Sequence, residues 1–150
     1  MSKLWGFSDF FLQNPILLLT LIAHVLADFQ WQSQKISDLK SRKFPYLILH
    51  LIIVFLPLLI LSVFFPQNSL YFAAVWLSHV VIDFLKYKLN IFIEKKKCTK
   101  QSFIVDQLLH LICIFLFYTV LASKTYPLWL KNSVLVAQMF LFLAIVGKPV

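Results

Sequence analysis

The stretch from about Pro45 to Phe65 contains no aspartate, glutamate, lysine or arginine, and four other segments of the chain are predominantly apolar. A helix needs ~20 apolar residues to cross the hydrocarbon core of a bilayer. A soluble domain of 150 residues could not bury the apolar surface of a chain that is 61% hydrophobic and 17% aromatic. The sequence therefore predicts an all-α, polytopic membrane helix bundle that forms a single domain over residues 1–150.

Five segments of the chain are predicted as spans. They run over about residues 15–29, 45–65, 70–89, 103–122 and 128–146. Asn14 and Pro15 are typical of an N-cap followed by proline at the first helical position, and Pro57 predicts a kink in the second span. The first segment is short, so a full span there must include the polar residues Gln30 to Gln34 at its end. The fifth segment is the weakest because it contains Lys131 and Asn132.

The basic residues behind the net charge of +8 are grouped in two loops, 30–44 and 86–102. The first cluster consists of Lys35, Lys40, Arg42 and Lys43. Next to membrane spans, such clusters favour contact with anionic lipid headgroups on the cytoplasmic side over binding of nucleic acid. The loops over residues 66–69 and 123–127 carry almost no charge and are expected outside. The predicted topology has the N-terminus outside and the C-terminus inside.

All four histidines lie in apolar stretches, and three of them stand four residues from an aspartate. The pairs are His24 with Asp28, His79 with Asp83, and His110 with Asp106, and the remaining histidine is His50. A spacing of four places both side chains on one helix face. Ionisable groups inside spans are costly and commonly mark a functional site. Half of the six acidic residues belong to these pairs.

The predicted topology gives these seven groups a common depth. His24 and His79 occur late in spans that descend to the cytoplasm, while His50 and His110 occur early in spans that leave it. In every pair the aspartate is nearer the cytoplasm and the histidine is one turn deeper. Because unrelated polar residues would have no reason to agree in depth and order, the seven side chains are expected to form one site towards the cytoplasmic side.

The chain also contains an internal repeat. Residues 24–29 match residues 79–84, and residues 49–56 match residues 109–116. The repeat predicts two parallel helix hairpins, over about 15–65 and 70–122, related by an axis normal to the membrane, with an extra helix at about 128–146. Interfaces between such repeats commonly contain the binding site. The symmetry is broken where Tyr46 stands in place of Asp106.

Three interpretations of the polar groups remain open: ion pairs that pack the bundle, a proton or cation pathway, and a divalent metal site. The agreement of three pairs, a fourth histidine and a repeat favours the metal site. Zinc is the expected ion, and manganese or iron would also suit these ligands. The expected metal ligands are His24, Asp28, His79, Asp83 and His110. The candidate catalytic residues are Asp106 as the proton acceptor, His50, and Lys86.

Lys86 follows Asp83 by three residues and therefore lies near the same helix face at the membrane boundary. It could bind a phosphate, or it could be a lysine that extends its ammonium group to the headgroup region. Gln30, Gln32 and Gln107 flank the pairs and are expected either to orient the ligands or to mark helix ends.

The order of these motifs resembles that of an uncharacterised bacterial membrane family. The motifs are His24-x-x-x-Asp28-Phe29-x-x-Gln32, a basic loop, His50, His79-x-x-x-Asp83-x-x-Lys86 and Asp106-Gln107-x-x-His110. This family is number 3307 in the domain-of-unknown-function series. The resemblance covers about residues 18–116 and implies a multi-pass protein of the bacterial inner membrane. The motifs are also similar in style to those of bacterial membrane-bound metal-dependent hydrolases, which favours hydrolysis by analogy alone.

The function expected from the sequence is metal-dependent hydrolysis of a phosphoester at the cytoplasmic leaflet, with a lipid headgroup as one candidate substrate. The first alternative is a transporter or channel for divalent cations or protons, because such pathways need the same residues. The second alternative is a non-catalytic membrane subunit whose basic loops dock a cytosolic partner. Five short helices enclose little volume, which would also be compatible with a homo-oligomer.

Overall fold

A computed structural model describes residues 2–96 and 99–146 of the chain. Nearly all of these residues are helical, and no β-strand occurs within them, so the predicted all-α class is confirmed. Lys97, in the second basic loop, and the C-terminal exit after Val146 lie outside the described residues.

Eight α-helices follow one another along the described chain. They are α1 (Ser2–Gln13), α2 (Pro15–Val25), α3 (Gln34–Leu39), α4 (Phe44–Phe64), α5 (Ser69–Lys95), α6 (Thr99–Leu121), α7 (Leu128–Asn132) and α8 (Val134–Val146). A π-helical turn, Leu26–Trp31, extends α2, and a 3₁₀ turn, Pro66–Asn68, precedes α5.

The start of α2 agrees only partly with the sequence. Pro15 occupies the first turn, where its missing N–H costs nothing. Asn14 lies at the N-cap position but makes no capping hydrogen bond. Its amide instead donates to the carbonyl of Phe10 at 2.8 Å, and its side-chain oxygen accepts from the Tyr118 hydroxyl at 3.0 Å. Asn14 therefore connects α1 and α6 rather than capping α2.

The number of spans differs from the prediction of five. Three helices in the described chain are long and apolar enough to cross a membrane: Phe44–Phe64, Pro66–Lys95 and Lys100–Leu121. The first predicted span is the shorter apolar helix Pro15–Trp31, which ends where Gln32 becomes extended. This helix does not extend into the polar residues after Gln32, because residues 34–39 form the separate helix α3.

The last predicted span is also shorter than expected. It is divided at Ser133 into α7 and α8, and only Val134–Val146 forms a continuous apolar helix. The break follows Lys131 and Asn132, the polar residues that weakened this segment in the sequence. The hydroxyl of Ser133 donates to the carbonyl of Trp129 at 3.0 Å, which satisfies a backbone group near the break.

Helix α5 packs against both α4 and α6, and α2 packs against α4, α6 and α8. The apolar core lies among these helices, where Leu17, Tyr71, Phe72 and Ile114 are at most 1% exposed. The outward faces of α4, α5 and α6 carry exposed leucine, isoleucine, valine and phenylalanine side chains, as expected of surfaces that contact lipid.

The two basic loops lie at the same end of the bundle. Arg42, before α4, donates through Nε to Glu94 Oε1, near the end of α5, at 2.7 Å. At the other end, the Ser123 N–H donates to Asn68 Oδ1 at 2.7 Å, so the two weakly charged loops also meet. Which end faces the cytoplasm stays a prediction, as does the parallel relation of the two hairpins.

Candidate metal centre

The seven His and Asp side chains selected from the sequence lie together inside the bundle. None is more than 4% exposed, and they come from α2 with its π-helical turn, α4, α5 and α6, which end or begin at the same end of the molecule. The group, here called the His/Asp cluster, consists of His24, Asp28, His50, His79, Asp83, Asp106 and His110. This convergence is what a shared site requires.

Three imidazole rings form the inner part of the His/Asp cluster. His24 Nδ1 lies 3.1 Å from His79 Nε2. The centroids of the His79 and His110 rings are 4.0 Å apart, and those of His24 and His110 are 5.5 Å apart. The rings come from α2, α5 and α6, so the centre lies where these three helices approach one another.

Backbone carbonyls fix which ring nitrogens carry protons. His79 Nδ1 lies 3.2 Å from the carbonyl oxygen of Val75, and His110 Nδ1 lies 2.7 Å from that of Asp106. Because a carbonyl oxygen only accepts, both Nδ1 atoms must donate. The Nε2 atoms of His79 and His110 then keep their lone pairs, which is the form in which imidazole binds a metal.

Two carboxylates flank His50. Its Nε2 atom lies 3.1 Å from Asp83 Oδ2 and 3.5 Å from Asp28 Oδ1. Asp28 belongs to the π-helical turn that follows α2, an irregularity often found at functional sites. His50 thus lies between the carboxylates of two His-x-x-x-Asp motifs that are far apart in the sequence.

The donor atoms fall into two triads. One consists of His24, Asp28 and His79, and the other of Asp83, Asp106 and His110. Within each triad, one ligand atom per residue lies within 4.8 Å of the others. All five predicted metal ligands are in these triads. Asp106, expected to be a catalytic base, is in the second.

Polar side chains surround the carboxylates. Gln107 Nε2 donates to Asp28 Oδ2 at 3.0 Å and lies 3.5 Å from Asp106 Oδ2. Lys86 Nζ donates to the same Asp106 oxygen at 2.8 Å. Gln32 donates to the backbone carbonyl of Asp28. Gln30 donates to the carbonyl of Ala144 at 2.6 Å and so connects to α8 rather than to the cluster.

Lys40 is a residue of the site that the sequence did not identify. It caps the C-terminus of α3 and is 7% exposed. Its Nζ atom lies 3.1 Å from His50 Nε2 and 3.9 Å from Asp83 Oδ1. Burial acts to lower the pKa of Lys40, but the carboxylates of Asp83, Asp28 and Asp106 outweigh it and raise the pKa above its ordinary value. Lys40 is therefore a buried ammonium group beside the cluster.

Several potential ligand atoms have no hydrogen-bond partner within the described chain. They are Asp28 Oδ1, Asp83 Oδ2, Asp106 Oδ1, His50 Nδ1 and His110 Nε2, all buried. Although His50 Nε2 is close to Asp83 Oδ2, the two atoms lack the alignment of a hydrogen bond. Buried acceptors without donors are costly, and a cation is the partner that would satisfy carboxylate oxygens and imidazole lone pairs together.

The geometry of the first triad suits a metal ion. Two nitrogens bound to zinc at ~2.0–2.1 Å with tetrahedral angles lie about 3.3 Å apart. His24 Nδ1 and His79 Nε2 are 3.1 Å apart, which is a hydrogen-bond distance between the two rings and is also within a few tenths of an ångström of that value. Three carboxylates against the ammonium groups of Lys40 and Lys86 leave one net negative charge with neutral imidazoles. The His/Asp cluster therefore fits a divalent cation in ligand type, spacing and charge.

A family model described as a protein of unknown function, DUF3307, matches residues 16–139. The chain belongs to the DUF3307 family. The match extends beyond the stretch that carried the resemblance in the sequence, and it includes the whole His/Asp cluster together with Lys40 and Lys86. No curated protein and no solved structure matches the chain. The DUF3307 description gives no activity.

Proposed function

We propose that this DUF3307 protein is a divalent-metal protein of the bacterial inner membrane, with zinc as the expected ion, and that it hydrolyses a phosphoester at the cytoplasmic leaflet. The observation that carries the proposal is the presence, in the two triads, of buried atoms without a hydrogen-bond partner: one carboxylate oxygen each of Asp28, Asp83 and Asp106, and His110 Nε2. A packing role would favour aligned hydrogen bonds between these groups. Their absence at Asp83 Oδ2 and His110 Nε2 favours a ligand instead.

When bound, a divalent ion would acidify a water molecule towards a pKa of ~7 and neutralise charge on phosphoryl oxygens. His24, Asp28 and His79 would hold the ion, and Asp83 and His110 would complete its surroundings. Gln107 would orient Asp28 through the hydrogen bond to Oδ2. His50, between Asp28 and Asp83, would keep their two negative charges apart.

Asp106 is assigned the role of proton acceptor. Lys86 and Gln107 hold its Oδ2 atom, which leaves the unpartnered Oδ1 to accept a proton. In the proposed reaction, the water oxygen bonds to phosphorus and its proton passes to Asp106. The ester P–O bond then breaks, and the leaving oxygen takes that proton from Asp106, which returns to its carboxylate form. For a phosphomonoester the products are an alcohol and phosphate. The ammonium group of Lys86 would bind the phosphoryl oxygens.

Transport is less well supported because the polar groups do not continue beyond the imidazoles. The space next to His24 and His79 is otherwise lined by Ala23, Val54, Leu58 and Val75, with Thr20, and is too narrow for a water molecule. The Thr20 hydroxyl already donates to the carbonyl of Ile16 at 2.8 Å. A transported ion needs a polar path to both sides, and this part of the described chain offers none.

Two measurements on the same preparation separate hydrolysis from transport. One is phosphate release from a panel of phosphoesters by the zinc-loaded protein, and the other is divalent-ion flux into proteoliposomes. The proposal predicts release that His79→Ala abolishes, and no flux. Flux abolished by His79→Ala, without hydrolysis of any phosphoester, would contradict hydrolysis and favour a transporter. Asp38→Asn is a matched control, because Asp38 is an exposed aspartate that is not a member of the His/Asp cluster.

A further inference from the structure

An apolar groove of about 400 Å³ lies between α5 and α6 on the surface that faces lipid. This volume is within the usual range for small-molecule pockets, ~300–1,000 Å³. Its lining, here called the α5/α6 groove, consists of Ile82, Leu85, Lys86, Leu89, Ile93, Gln101, Ser102, Val105, Asp106 and Leu109.

The α5/α6 groove has a polar middle and an apolar inner end. Lys86 and Asp106 form their 2.8 Å ion pair in its wall, and Asp106 is also a member of the His/Asp cluster. From this pair the groove continues along Ile82 and Leu109, away from the basic loops. In the other direction it reaches Gln101 and Ser102, next to the second basic loop.

Two other grooves on the lipid-facing surface of the described helices lack this combination. One of about 340 Å³ between α4 and α5 is lined by Ile48, Leu51, Ile52, Phe55, Trp76 and Val80, with no charged side chain. A second, of about 260 Å³, has only Ser62 and Ser69 as polar residues besides Trp76. Among these grooves, the α5/α6 groove alone joins an apolar channel to a lysine and to an unpartnered carboxylate oxygen that is buried in the site.

We propose that the α5/α6 groove binds a phosphomonoester lipid, with one hydrocarbon chain along Ile82, Leu85 and Leu109 and the phosphate at Lys86. A lipid in a bilayer has its hydrocarbon chain towards the membrane centre and its anionic headgroup towards the surface. The groove has the matching arrangement, with Ile82 and Leu109 towards the membrane centre and Lys86 nearer the basic loops. The Lys86 ammonium has three N–H donors and uses one on Asp106. That the bound lipid is a substrate rests on the proposed hydrolase function, because hydrolysis requires the phosphate to reach Asp106.

The test measures lipid binding to the metal-free protein in detergent by native mass spectrometry, with palmitoyl-oleoyl phosphatidate and the matching phosphatidylcholine as probes. Leu109→Trp fills the groove, and Leu108→Trp is its control because Leu108 is equally an exposed leucine of α6 but does not line the groove. Phosphatidate binding is expected to weaken about tenfold in Leu109→Trp. It should be unchanged in Leu108→Trp. Equal binding by the two variants would overturn the proposal.

A second pair of variants tests the headgroup without filling the groove. Lys86→Gln is expected to abolish the preference for phosphatidate over phosphatidylcholine, whereas Lys88→Gln, which changes an exposed lysine of the same helix, should keep it. A preference that survives Lys86→Gln would contradict the assignment, even if Leu109→Trp failed to fold. Displacement of phosphatidate by inorganic phosphate at equal concentration would show that free phosphate, not a lipid, is recognised.

The binding test and the metal proposal can fail separately. Because the lipid is bound by metal-free protein, absence of metal from the purified protein would leave the groove result standing. Loss of groove specificity in a protein that still binds zinc would remove only the lipid assignment.

Discussion

Replacing Lys40 by methionine tests how the buried charges of the His/Asp cluster are balanced. Methionine keeps most of the length of the side chain and removes the ammonium group. Lys40 Nζ lies 3.9 Å from Asp83 Oδ1. At this distance, Coulomb's law with an effective dielectric constant of ~20 gives an attraction of about 4 kcal/mol. Removal of one partner from a buried ion pair typically costs ~3–5 kcal/mol, because the other charge is left uncompensated.

We therefore expect Lys40→Met to lower the free energy of unfolding of the metal-free protein by ~3–5 kcal/mol. Saturating zinc should make this loss smaller, because the ion would neutralise the carboxylates in place of the lysine. Zinc should also bind more tightly to the variant, because an ammonium group near the ligands no longer repels it. The assay is reversible denaturation in detergent with and without zinc, together with zinc titration against a competing chelator.

Lys43→Met is the matched control because Lys43 belongs to the same basic loop but is exposed. Its effect on stability should stay within ~0.5 kcal/mol, as for most surface substitutions. If Lys40→Met destabilised the protein equally with and without zinc, the ion and the lysine would not share the same carboxylates. An unchanged free energy of unfolding in the metal-free variant would refute the buried ion pair itself.

Three further predictions follow from the site and the topology. Asp83→Asn should reduce bound zinc and phosphate release together, and an unchanged zinc content would remove Asp83 from the ligand set. Gln107→Leu removes the hydrogen bond to Asp28 Oδ2. We expect this variant to bind zinc ~10–100-fold more weakly in a chelator competition assay, and an unaltered zinc affinity would contradict the orienting role of Gln107. A reporter fused after Lys97 should read cytoplasmic and one at Asn68 external, and the reverse result would place the cluster in the outer half.

Much of the site could be predicted because its residues are encoded by local spacing and by helix direction. The four-residue separation of His24 from Asp28 and of His79 from Asp83 puts each pair on one helix face. Because successive helices run in opposite directions, histidines late in one helix then lie at the same depth as histidines early in the next. These two facts do not depend on detailed packing, and they were enough to predict the convergence that the structure contains.

Lys40 could not be predicted in this way because its position depends on a chain reversal. Ser33 caps α3 by accepting from the Ile36 N–H at 3.3 Å, and the short helix turns the chain so that Lys40 faces inwards. In the sequence Lys40 is one of four basic residues in a loop, and nothing in its spacing separates it from the exposed ones. Similarly, Lys131 and Asn132 made the fifth span the weakest prediction, but nothing in the sequence placed a break at Ser133.

Elemental analysis of the protein purified in detergent measures whether the His/Asp cluster binds a divalent metal ion. We expect one to two equivalents of a transition metal, with zinc as the expected element, because the cluster offers two triads of ligands. His79→Ala should lower this content while Asp38→Asn leaves it unchanged. A folded wild-type protein that contains no transition metal and acquires none on incubation with zinc, manganese or iron would contradict metal binding by the cluster.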